Sequence, residues 1–155
     1  MFETLTYIKN LLQTRFQSPF RTYMIDNPAI VAESSLPCLA VCPVSTDTAL
    51  ADTGRDLHTH TIEIRVIINA ANEVQGKQNQ MVGSQFLAEI MDKKDSNGKL
   101  ERNTILGVLR EELRLGNNLY LGNDSTIEYS IEERGEQFFT REALLRITVQ
   151  RLSNR

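Results

Sequence analysis

The chain is poor in the residues that usually announce chemistry. It carries two cysteines, two histidines and no tryptophan in 155 residues. It has no run of about 18 apolar residues, so neither a transmembrane helix nor a membrane partner is expected. No glycine pattern matches a dinucleotide or Walker-type phosphate loop, and no G-x-S-x-G elbow occurs. The opening MFETLTYIKN has an early acid and no apolar stretch, so it does not read as a secretory signal. An excess of one charge is missing too: 17 Lys and Arg stand against 20 Asp and Glu, a formal net charge of -3. A slightly acidic balance argues against a general nucleic-acid binder, which would carry a basic patch. Disorder as the main state is excluded by 41% hydrophobic residues and the small net charge. What is there suits one domain over residues 1–155, long enough to bury its own core.

Both cysteines lie in LPCLAVCPV, an apolar run bounded by Pro37 and Pro43. On a strand, residues four apart are separated by roughly 13 Å, beyond the ~7 Å reach of a disulfide. Cys38 and Cys42 therefore read as small buried apolar residues of a protein made in reducing cytosol.

Periodicity supplies the elements. Leu5, Ile8, Leu12 and Phe16 form one helical face, widened by Leu11, and Ser18-Pro19 ends that helix. Residues 19–35 read as irregular, with Asp26-Asn27-Pro28 as a turn. Leu36–Val44, apolar on both alternating faces, suits a strand covered from both sides. Ser45–Asp56 is polar, contains Gly54 and reads as a loop. LHTHTIEIRVIIN alternates with period two: His58, His60, Ile62, Ile64, Val66 and Ile68 share one face, and Thr59, Thr61, Glu63 and Arg65 the other. After a loop over 69–78, Phe86 and Ile90, with Val82, Leu87 and Met91, place a second helix at about 79–94, with Lys93 and Lys94 in its last turn. Asp95-Ser96-Asn97-Gly98 stops it. Asn103 is a candidate cap for a third helix with Leu106, Leu109 and Leu113 inward, and Gly116 a candidate stop. Gly107 inside that helix marks close packing. Ile127, Tyr129 and Ile131 read as the inner face of a half-buried strand, Gly135 as a turn, and Ala143, Leu145, Ile147 and Val149 as the inner face of a terminal strand paired with it. The order α-β-β-α-α-β-β implies α+β: a mainly antiparallel twisted sheet of about four strands packed with about three helices.

Few constellations carry chemistry. His58 and His60 share a strand face, a geometry that suits zinc or copper, but no third ligand follows from spacing. The plainer reading is an apolar face running out at a strand end. Asp95-Ser96-Asn97-Gly98 resembles the middle of a calcium loop, yet Lys93 and Thr104 stand where the template wants acids. Glu132, Glu133 and Glu136 with Arg134 read as a solvated hairpin tip. No catalytic residue, metal or cofactor is expected, and no enzyme.

The order of these elements resembles the tail terminator (tail completion) proteins of tailed bacteriophages. The residues that carry the resemblance are the helix FETLTYIKNLLQTRF, the strand LPCLAVCPV, the long strand RDLHTHTIEIRVIIN after a polar stretch, two helices, and a closing strand pair ending in EALLRITVQRL. The resemblance implies a virion protein, assembled in the host cytoplasm, whose homo-oligomeric ring, commonly six subunits, sits on the head-proximal end of the tail. Such a ring stops polymerisation of the tail tube protein and docks the head–tail connector or neck protein, with the tail sheath protein as a further partner. Genome DNA passes the lumen without specific binding, and acidic walls would suit that passage. No residue carries over by motif. Interface contacts are expected in the segment before Leu36, in Ser45–Asp56, at His58, His60, Glu63 and Arg65, and at Glu132, Glu133, Arg134 and Glu136. Another neck or head–tail completion role, a small metal- or ligand-binding domain built on His58 and His60, and a regulatory domain dimerising by sheet pairing are the alternatives.

Overall fold

A computed structural model describes residues 1–70, 80–113, 119–135 and 138–154. Five strands form one sheet in the order β1-β2-β3-β5-β4, with β1 Thr22–Ile25, β2 Cys38–Asp52, β3 Arg55–Asn69, β4 Leu119–Gly135 and β5 Phe138–Asn154. All neighbours are antiparallel except β1, which runs parallel to β2. Three helices, α1 Phe2–Arg15, α2 Gln80–Asp92 and α3 Ile105–Glu112, pack on one face. The α+β class holds, with five strands where about four are expected.

The alternation of β3 and β5 sets which face is buried. Ile62, Ile64 and Val66 oppose Ile147, Leu145 and Ala143, and with Leu39 and Val41 of β2 they form the sheet side of the main core. Leu5, Ile8 and Leu12 of α1, Leu87 and Met91 of α2, and Ile105 and Leu109 of α3 fill it from the helix side. Residues 26–36 cross the opposite face as a strap. There Val31, Leu36, Cys38 and Ile67 form a second apolar cluster. Cys38–Cys42 is therefore buried from both sides, as its two-sided apolar pattern requires.

The differences from the sequence reading have physical reasons. Thr22–Ile25 is a strand, but its four residues are too few to show a period, and its pairing with Cys38–Val41 is wholly tertiary. Ser45–Asp56 is not a loop. It continues β2 to Asp52 and turns at Thr53-Gly54 into β3. Asp52 makes that turn, accepting from the Gly54 amide (3.0 Å) and from Arg55 Nε (2.8 Å). Both faces of Val44–Asp52 are exposed, so no apolar alternation exists there to be read. α2 ends at Asp92, leaving Lys93 and Lys94 beyond its last turn. Asn79, the loop residues 71–78, Gly116 and Glu136 lie outside the described residues.

The connector after α2 matches its turn signals. Asp95 Oδ1 accepts from the amides of Asn97 and Lys99, and Gly98 has φ 78°. The cap of α3 is Thr104, not Asn103: its Oγ1 accepts from the Gly107 amide at 3.0 Å.

Candidate functional site

His58 and His60 do share one face, under the amino end of α1. Their rings stack in parallel with centroids 6.1 Å apart. His60 is buried and its Nδ1 pairs with Thr46 Oγ1 at 2.9 Å. Both ring nitrogens of His58 are engaged, by Thr48 Oγ1 (3.0 Å) and Ser153 Oγ (2.7 Å). The hydroxyls come from β2 and β5, the strands that flank β3. Arg151 beside them is tied to Glu3 of α1 at 2.8 Å. This is a polar end to an apolar face, in which the imidazoles serve as hydrogen-bonding packing groups.

Burial lowers the pKa of His60, with the positive charges of the amino terminus, His58 and Arg151 acting in the same sense. Neutral in the fold, His60 takes up a proton in the unfolded chain near about pH 6.5. The native state then binds fewer protons, so its stability is complete above that value and falls as the pH drops below it. Thermal melts should be level between about pH 8 and 7 and decline from about pH 6.5 to 5. A His60→Gln variant should flatten that decline. An unchanged slope in the variant would assign the decline to other groups.

The opposite face holds a buried polar cluster. Glu142 of β5 is fully buried there. It accepts from Arg134 Nε at 2.7 Å and Arg65 Nη1 at 2.8 Å, and also from Thr140 Oγ1. Burial alone would raise its pKa, but the bonds from Arg134, Thr140 and Arg65 outweigh that and hold the carboxyl below its ordinary value. Arg134 also donates to Asn27 Oδ1 (2.9 Å) and to the Pro28 carbonyl, pinning the strap to the sheet. Farther along the same face, Glu63 binds Arg146 and lies 3.9 Å from Arg65.

The solvated-tip reading must be corrected at Arg134, which is buried. Its side chain turns into the molecule, because the strap and Glu142 form a buried acceptor pocket behind the hairpin. Glu142, Thr140 and Asn27 were missed. Glu142 sat on what read as a solvent-facing alternation, and nothing local shows that residues 26–36 fold back over it. Arg65 and Glu63 are half-buried and already paired within the chain. Glu132 and Glu133 are exposed, as a solvated tip requires.

The half-buried reading of β4 holds at Ile127, which packs against the core, and needs correction at the next two inner-face residues. Tyr129 is 52% and Ile131 57% exposed, although both face the helix side. α1 spans about 21 Å and α2 about 20 Å, whereas strands of 15 to 17 residues reach about 50 Å or more. The helix layer stops short of the β2–β3 tip. At Tyr129 and Ile131 α2 reaches the same level, with Ser84 bonded to Arg141 opposite Ile131, and it is the edge position of β4 that leaves them open. Leu50 at the β2–β3 tip is likewise 69% exposed.

An open cleft of about 410 Å³ separates the end of α1 from α2 and α3, with Phe16, Pro19, Phe86 and Ile90 between Arg15, Glu89, Lys93 and Glu101. Its charges are mixed and select no ligand class. The thiols of Cys38 and Cys42 are buried, and burial pushes them up to about 11 and about 12, which leaves them unreactive. Among the described residues no three His, Cys, Asp or Glu side chains gather in a way that could hold a metal ion. No helix is long and apolar enough to cross a membrane. No protein-family model matches the chain, and no curated protein matches it.

Proposed function

We propose that the chain is a ring-forming structural subunit of a phage tail, the terminator that caps the head-proximal end of the tail tube. The observation that carries this reading is the mismatch between a long sheet and a short helix layer. The distal β2–β3 hairpin stands clear of the core, and β4, though Leu119 and Ile127 join or pack on the core, leaves its hairpin half open, with Leu50, Tyr129 and Ile131 exposed. A lone subunit has no use for these surfaces, and exposed apolar strand edges are a liability unless something pairs with them. The order of elements that carries the family resemblance is compatible with the fold. In this reading the subunits close head to tail into a ring, commonly of six. The ring halts the tube protein and offers its other side to the head–tail connector, while DNA passes through the lumen.

Negative-stain images and mass measurement of the purified protein test this, alone and after mixing with purified tail tubes. Closed rings, free in solution or on tube ends, are the expected result, together with tubes that no longer lengthen when tube protein is added. A protein that stays monomeric at every concentration and leaves tubes growing would overturn the reading.

A further inference from the structure

We infer that the joint between neighbouring copies is a continuous β-sheet, in which the distal half of β2 in one copy pairs antiparallel with β4 of the next. This rests on the ring reading and names the surface that closes the ring.

The sheet has two open edges. β1 covers β2 only over Cys38–Val41, so from Cys42 to Asp52 the outer side of β2 meets no described strand. β4 is the last strand on the other side. Among the described residues, the Val31 amide is the one backbone donor that reaches it from outside, at the Arg134 carbonyl. Val44–Ala51 contains no lysine and no proline, and β4 likewise contains neither, so two of the usual devices that blunt an edge are absent.

Hydrogen-bond phase shows that these edges fit one another. The Val41 carbonyl points away from β3, since it accepts from the Asp26 amide. Pairs in an antiparallel ladder alternate between bonded and non-bonded. Counting on through Glu63↔Cys42 and Thr61↔Ser45 turns the backbone groups of Thr46, Thr48 and Leu50 outward. The same count across β3 and β5 directs Thr126, Glu128 and Ser130 toward β5, and leaves those of Ile127, Tyr129 and Ile131 outward. On both edges the outward-bonding residues carry their side chains on the helix side of the sheet. A ladder that opposes them therefore keeps every helix layer on one side of the combined sheet. An odd number of antiparallel strands between the edges would have flipped alternate copies. Chain direction agrees as well. β2 and β4 run opposite ways, so copies set side by side with their strands aligned meet antiparallel there. Bringing Leu50, level with Ser153, beside Ile127, level with Leu145, staggers the next copy by eight residues, roughly 26 Å, along the strands. A closed ring takes up that stagger by tilting its strands against the ring axis. The joint also sets threonines and Leu50 beside Ile127, Tyr129 and Ile131, β-branched and aromatic neighbours that favour cross-strand packing. Acids on both edges, Asp47 on β2 and Glu128 and Glu132 on β4, oppose the joint until salt screens them.

Proline at an outward-bonding position removes a joint hydrogen bond and leaves the internal ladder intact. Leu50→Pro and Tyr129→Pro should each abolish rings, and mixing the two should give a dimer and nothing larger, because one good edge of each kind remains. Rings that persist in both variants would overturn the joint while sparing the ring reading. A dimer from Tyr129→Pro or Leu50→Pro alone would show a self-complementary contact and overturn it too. If the wild-type protein forms no ring, the functional reading itself fails. Cysteine pairs answer the same question without proline. Combining Thr46→Cys, Thr48→Cys or Leu50→Cys with Ile127→Cys, Tyr129→Cys or Ile131→Cys should cross-link copies only along one antiparallel register. Cross-linking that follows a parallel register, or none under oxidation in assembled rings, would refute the joint.

Discussion

Replacing Glu142 by alanine should cost about 3–5 kcal/mol of folding stability, the loss seen when one member of a buried ion pair is removed. The carboxylate is fully buried between Arg134 and Arg65, whose side chains are 8% and 13% exposed. Without it, two guanidinium groups remain in a poorly solvated pocket, and desolvation of an unpaired charge exceeds any gain from the smaller side chain. Arg134 would also lose the partner that aims it at Asn27 and Pro28, so the strap should loosen. Urea denaturation gives the magnitude, and hydrogen exchange at Val31, whose amide bonds the Arg134 carbonyl, reports the strap. Removing all the charges together, as Arg65→Met, Arg134→Met and Glu142→Leu, should recover most of the loss, because a well-packed apolar group replaces the ions. A loss below about 1 kcal/mol for Glu142→Ala would mean that water reaches the site and screens it. The pH sign is fixed by the lowered pKa of Glu142. Its contribution is complete above the unfolded value of about 4.3 and is lost as the pH falls through the lower native value. Acid should thus weaken the fold in two stages, His60 first and Glu142 at lower pH.

The same cluster shows where sequence reading reaches its end. Ile62, Ile64, Val66, Leu145 and Ile147 could be placed in the core from alternation alone, because strands buried on one face repeat that face every second residue. The helical stripe of α1 was legible for the same reason. Glu142 obeyed the alternation as well, yet the face it points to is buried by residues 26–36. That strap lies more than a hundred positions away in the chain, and its own composition reads as irregular. Ser45–Asp52 fails in the opposite way. Open to solvent on both faces, it has no periodic signature, and only pairing with β3 makes it a strand. Tyr129 and Ile131 alternate as core residues do, but they lie on the edge strand, and α2, which reaches their level at Ser84 and Asp92, leaves them open on their outer side. Of the surface proposed for assembly, the polar stretch 45–56 and the hairpin could be named as candidates from the sequence, whereas the exposure of Tyr129 and Ile131 could not, because both obey the alternation of a half-buried strand.

Gly107→Ala should destabilise the protein by about 1–3 kcal/mol, the usual range for forcing an extra group into a packed site. Helix propensity alone predicts the reverse, a gain of about 0.8–1.0 kcal/mol for alanine over glycine. Geometry decides between them. A methyl on Gly107 would lie 2.2 Å from the Glu101 carbonyl oxygen and 2.8 Å from Thr104 Oγ1. The first neighbour is backbone and cannot rotate away. The second is the cap of α3, which donates to that same Glu101 carbonyl at 2.8 Å and accepts from the Gly107 amide. Relief of the clash therefore means either moving the connector or breaking the cap, itself worth about 1 kcal/mol. Neither is free, because Ile105, Leu106, Val108 and Leu109 are all buried and hold α3 against α1 and α2. Gly98 gives the contrast within one connector: its φ of +78° penalises alanine through the backbone, but nothing lies within 4 Å of the added carbon. Urea midpoints for the two variants should both fall. In Gly107→Ala the loss should shrink when Thr104→Ser is added, since removing the threonine methyl gives the cap room to shift, whereas in Gly98→Ala it should not. An alanine at 107 that matches or exceeds wild-type stability would show that the turn before α3 is free to move, and that the glycine is not required by packing.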